Sequence, residues 1–138
     1  MPRPRILLVD DDRRVRQLVG LTLPADDYEL SFAEDGRDAI RTAQQTHPDL
    51  ILLDYAMPGI HGVDVCTAIR SDPTMSGTPI IMLTGHGDDD TRQRAILAGA
   101  NGFLTKPFSP IALEQTISTL LGASDLPPLS PSEIRSMP

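Results

Sequence analysis

Tryptophan is absent from this 138-residue chain, and cysteine occurs once, as Cys66. A lone thiol excludes an internal disulfide and a thiolate metal cluster, so Cys66 reads as a small buried hydrophobe in a reducing compartment. No apolar run approaches the ~20 residues of a membrane span. The opening "MPRPR" leads straight into a short apolar run and lacks the layout of a signal peptide. These absences lead to the expectation of a cytoplasmic protein with no membrane contact. Positive charge is also scarce: 12 Lys and Arg stand against 19 Asp and Glu, a net −7. That balance argues against a nucleic-acid-binding surface, which needs clustered cations to displace counterions. Scarcest of all is lysine. Every one of the 12 basic residues is arginine except Lys106. An ammonium is a compact point charge on a flexible stem, whereas a guanidinium is a planar fork, so position 106 stands apart.

With 40% hydrophobic residues, the chain has material for one globular domain. Four short apolar runs, "RILLV" (5–9), "DLILL" (49–53), "PIIML" (79–83) and "GFLT" (102–105), suit strands covered on both faces. "YELSF" (28–32) alternates apolar and polar and belongs, like 102–105, at a sheet edge. Between the runs lie amphipathic segments at 12–23, 36–46, 63–70, 88–98 and 109–121. Val15, Leu18, Val19 and Thr22 form the apolar face of the first. Ile111, Leu113, Ile117, Leu120 and Leu121 are the apolar members of the last. Asp12 and "SP" at 109–110 read as helix starts, and Gly99 as a helix stop. Five strands alternating with five helices predict a parallel, doubly wound α/β sheet of order 2-1-3-4-5, the flavodoxin-like arrangement. The domain then covers 1–122. Residues 123–138, rich in Pro and Ser without periodicity, read as a tail or linker.

That topology collects chemistry on one rim. Strand one runs into Asp10, Asp11 and Asp12, strand three into Asp54, strand four into Thr84 and strand five into Lys106. Two unit charges about 4 Å apart repel by roughly 4 kcal/mol at an effective dielectric near 20. Helix capping explains one or two of the first three acids; the remainder either point apart into water or have something positive among them. Carboxylates with no histidine or thiolate among them make a hard all-oxygen site for Mg²⁺ or Mn²⁺. Metal, ammonium and hydroxyl around one carboxylate are the groups that phosphoryl transfer to an aspartate requires.

The motifs "ILLVDDD", "LILLDYAMPGIHG", "PIIMLTG" and "GANGFLTKPF" together resemble the CheY-like receiver domains of two-component response regulators over about residues 5–121. The resemblance implies that Asp10 and Asp11 hold Mg²⁺ and that Asp54 is phosphorylated by a histidine kinase or phosphotransfer protein. It further implies that the Ala56 backbone carbonyl binds the metal and that Thr84 and Lys106 contact the phosphoryl group. A cis peptide before Pro107 follows from it too. Phe103 stands where many relatives carry the switching Tyr; it keeps the ring and lacks the hydroxyl. Phosphorylation is then expected to draw Thr84 inward, let Phe103 fill the space, and remodel the face built from 88–98, 102–105 and 109–121.

Other features are read on their own residues. Arg13, Arg14 and Arg16 offer either a surface for an acidic partner or a solvated helix face. Asp88–Asp90 decorate a helix N-terminus. His86 is either a solvent-facing loop residue or a group near the crevice. An aspartate-nucleophile phosphatase would want a second acid where Ala56 stands. A flavin-binding module would want a Ser/Thr/Gly-rich loop where "DDDRRV" stands. The expectation is a signalling domain and not an enzyme. It hands its state to a downstream effector or output domain, makes no nucleic-acid contact of its own, and leaves a homodimer open. The sequence fits a stand-alone protein and a piece of a longer regulator alike.

Overall fold

A computed structural model describes residues 3–122 except Pro58 and His86; the loop histidine and the 123–138 tail therefore lie outside the described residues. The described residues alternate strand and helix through ten elements: β1 (Arg5–Val9), α1 (Arg13–Thr22), β2 (Glu29–Ala33), α2 (Gly36–Thr46), β3 (Leu50–Asp54), α3 (Gly62–Ser71), β4 (Ile80–Thr84), α4 (Asp89–Ala98), β5 (Gly102–Thr105) and α5 (Pro110–Gly122). The strands form one sheet in the order β2-β1-β3-β4-β5, and every pairing is parallel.

Apolar alternation divides the core into two. Leu7, Val9, Ile51, Leu53 and Met82 face α2, α3 and α4, packing on Ala39, Ala43, Val65, Cys66, Ile69 and Ala95. Ile6, Leu8, Leu52, Ile81 and Leu83 face α1 and α5, packing on Val15, Val19, Leu113, Ile117 and Leu120. The central strands β3 and β4 are buried along their whole length, as continuous apolar runs require.

Helix starts follow the capping residues. Asp12 accepts from the Arg14 N–H at 2.8 Å, Asp88 accepts from the Thr91 N–H at 2.8 Å, and Ser109 Oγ accepts from the Ala112 N–H at 3.0 Å. Gly99 ends α4 with φ of 107°, a conformation that favours glycine. Three strands, β2, β3 and β4, begin one residue later than their runs suggest. Pro79 has no N–H to place in the ladder, and its carbonyl accepts from the Ile51 N–H instead. One helix-face expectation is corrected: Ile111, in the first turn of α5, is 68% exposed and lies outside the core. Among the described residues no helix is long and apolar enough to cross a membrane.

Candidate functional site

The carboxyl ends of β1, β3, β4 and β5 meet above the sheet. Asp10 follows β1 and is wholly buried, while Asp54 closes β3 and is 5% exposed. Asp11, beside them, is exposed. One carboxylate oxygen from each of the three lies within 4.8 Å of the others. Lys106 reaches into this group from the end of β5: its Nζ stands 2.7 Å from Asp10 Oδ2 and 3.2 Å from Asp54 Oδ1. The fold thus brings the chain's single ammonium between two buried acids that come from different strands.

Backbone geometry fixes the frame. The Asp12 N–H donates to Asp10 Oδ1 at 2.9 Å, and the run of three aspartates is split into two site residues, Asp10 and Asp11, and one helix cap, Asp12. The Lys106 N–H donates to the Thr84 carbonyl at 2.6 Å, and the Tyr55 N–H to the Leu83 carbonyl at 2.7 Å. These bonds hold Asp54, Thr84 and Lys106 in register at adjacent strand ends. Thr84 is 2% exposed and pairs with Thr105 across the β4–β5 ladder. Ala56 meets the same carboxylate through its backbone, its N–H donating to Asp54. The loop returns through Gly62, whose N–H donates to the Tyr55 carbonyl at 3.0 Å. A Cβ at Gly62 would collide with the Asp54 carbonyl oxygen, so only glycine permits this close approach.

Charge is unbalanced here. Burial, and then the neighbouring Asp10, push the Asp54 carboxyl up from 3.8 to about 6, against the opposing pull of Lys106 and the Ala56 N–H. Burial alone would lower the Lys106 ammonium, but Asp10 and Asp54 outweigh it and the group is raised. The site therefore holds a persistent cation and acids that crowd each other. A hard divalent cation fits this donor set. The ligands are all oxygen, and among the described residues Asp10 Oδ2 is buried with no aligned hydrogen bond, its one close cation being the Lys106 ammonium.

Sequence reasoning passed over His61. His61 caps α3 through Nδ1, which accepts from the Val63 N–H at 3.3 Å, and its ring meets Tyr55 edge-on at 4.5 Å. Nothing in the spacing of the histidines signals this. Phe103 is 3% exposed, with the Arg92 guanidinium 5.4 Å from its ring centre. Arg13 and Arg14 are exposed, and Arg16 pairs with Glu34 at 3.1 Å. Asp88 caps α4, and Asp89 and Asp90 occupy its first turn, as the helix-dipole reading of that run requires. The peptide bond between Lys106 and Pro107 is cis.

The family model "Response regulator receiver domain" matches residues 6–118. The chain belongs to the response regulator receiver family. Among curated relatives, it is 40% identical over 117 residues to the transcriptional regulatory protein ResD of Bacillus subtilis, covering 85% of this chain and 48% of ResD. It is 35% identical over 123 residues to the DNA-binding response regulator MtrA of Mycobacterium tuberculosis, covering 89% and 53%. The receiver chain thus spans about half the length of these relatives. Among solved structures, the chemotaxis response regulator CheY4 of Vibrio cholerae superposes with a TM-score of 0.81 at 36% identity, covering 86% of this chain and 99% of that one.

Proposed function

We propose that this receiver domain accepts a phosphoryl group on Asp54 from the phosphohistidine of a sensor kinase or phosphotransfer protein, in the cytoplasm. An Asp54 carboxylate oxygen attacks phosphorus as the P–N bond breaks, leaving an acyl phosphate on the domain and, with one proton carried by the departing ring, a neutral imidazole on the donor. Asp10, Asp11, Asp54 and the Ala56 carbonyl would hold Mg²⁺, or Mn²⁺ in its place, and that ion would neutralise charge on the phosphoryl oxygens. Lys106 supplies a second positive charge, and the Thr84 hydroxyl a donor to the phosphoryl group. The observation that carries this reading is Lys106 Nζ seated between Asp10 and Asp54, 2.7 and 3.2 Å away, in a cluster of three acids.

The domain then acts on no separate substrate; it promotes its own phosphorylation and dephosphorylation. Its state passes to the face formed by α4, β5 and α5 through Thr84 and Phe103. The recipient is an effector or output domain, or a second copy of the chain. Relatives named as DNA-binding and transcriptional regulators, about twice the length of this chain, favour a transcriptional output carried outside this acidic domain. Incubation with acetyl phosphate and Mg²⁺ tests the acceptor. Mass spectrometry is expected to find one added phosphoryl group on the intact chain and none on Asp54→Asn. Equal labelling of both would move the site elsewhere.

A further inference from the structure

The two arginines of α4 behave differently. Arg94 lies in solvent and pairs with Asp90 at 3.2 Å. Arg92 turns inward. Among the described residues it takes part in no ion pair, and its Nε is buried without a hydrogen-bond partner. What it meets is the face of Phe103, 5.4 Å from the guanidinium carbon to the ring centre. An aromatic face attracts a cation, more strongly where water is excluded. The ring beneath is 3% exposed on the strand that ends beside Lys106. Phe103 carries no hydroxyl, so burying it strands no polar group. All this holds with Asp54 unmodified and hydrogen-bonded to Lys106.

We propose that Arg92 is a latch that closes over Phe103 and holds the ring inward before phosphorylation, tying the first turn of α4 to β5. The proposal rests on the receiver reading above, in which the ring moves between exposed and buried positions. With the latch shut, most of the ring population is already inward, so the share of movement left for phosphorylation to drive, and with it the set-point of the switch, is written into α4.

Incorporation of 4-fluorophenylalanine labels the three phenylalanines, and Phe103→Leu assigns the signal from position 103. In the intact chain that ¹⁹F signal is expected at a buried position that shifts little when acetyl phosphate and Mg²⁺ are added. In Arg92→Met, which keeps the apolar stem, the exposed-ring population without donor is expected to rise about fivefold to thirtyfold, the worth of a half-buried cation–π contact. Donor should then drive the ring back inward. Arg92→Lys, which keeps a cation, should restore much of the buried signal. Cooperative thermal unfolding of each variant guards against a folding defect. An Arg92→Met signal that matches the intact chain overturns the latch, as does Arg92→Lys behaving like Arg92→Met. Failure of Asp54 to take a phosphoryl group would overturn the receiver chemistry instead, and the donor-free comparison would still decide the latch.

Discussion

The two ends of the sheet treat their half-buried cations in opposite ways. At the amino ends of β4 and β5, Arg70 from α3 gives every arm of its guanidinium to neutral acceptors. It donates to the Gly99 carbonyl at 3.0 and 2.8 Å, the Ser76 and Thr78 carbonyls at 3.0 and 2.7 Å, and Asn101 Oδ1 at 2.6 Å. Asn101 Oδ1 in turn accepts from the Ile80 N–H at 2.9 Å. Nothing there is left wanting. At the carboxyl ends, Lys106 faces more acid than it can neutralise, and an Asp10 oxygen is buried with no aligned hydrogen bond. A fully satisfied network specifies structure, whereas an incomplete one raises the energy of the fold and waits for a ligand. Stability and chemistry have been separated along the strand axis.

That contrast can be broken at either end. The largest effect is expected from Arg70→Leu, which strands several carbonyls that the guanidinium now satisfies. Urea unfolding should show a loss of about 2–4 kcal/mol, while phosphoryl uptake per folded molecule stays unchanged. A loss of uptake beyond the unfolded fraction would erase the division between the ends.

Next comes Asp54→Asn in metal-free buffer, expected to stabilise the chain by on the order of 1–3 kcal/mol near neutral pH, because one of two crowded buried charges disappears. The native carboxyl titrates at about 6 against 3.8 for the ordinary group, so the folded state keeps its proton to higher pH than the unfolded one. Stability of the intact chain should fall as pH rises through that window, and the variant should lack this decline. A variant that is less stable than the intact chain at pH 7 would contradict the charge imbalance.

The smallest effect is that of Mg²⁺ itself. At ten times its dissociation constant, a ligand of the folded state alone adds about 1.4 kcal/mol. The gain, read as a rise in melting temperature, should be larger at pH 8 than at pH 5, where a proton on Asp54 competes with the metal. It should vanish in Asp11→Asn, and an equal rise in that variant would move the metal off the cluster.

Most of the architecture was legible because period and punctuation agreed: apolar runs made the central strands, and Asp12, Asp88, Ser109 and Gly99 marked helix ends. The site was legible for a different reason. Its members sit at strand ends, so the strand order alone brings Asp10, Asp54, Thr84 and Lys106 to one rim. What escaped were contacts between helices and loops far apart in sequence. Arg70 looks like any helix-terminal arginine until Gly99 and Asn101 fold against it. Arg92 cannot be told from Arg94 without knowing which way α4 faces. Ile111 fits the apolar spacing of α5, yet it falls on the first turn, beyond the reach of the sheet. The His61 cap of α3 is equally silent, since a ring nitrogen substituting for an Asp or Ser oxygen leaves no spacing to read.

Asp10 comes from the first strand of the chain and Lys106 from beyond the last, and the two touch. A ribosome must therefore deliver nearly the whole domain before the pocket exists at all. Any copy that stalls, is clipped ahead of β5 or fails to add that edge strand leaves these acids without the lysine that faces them. Completion of the pocket doubles as a certificate that folding has finished.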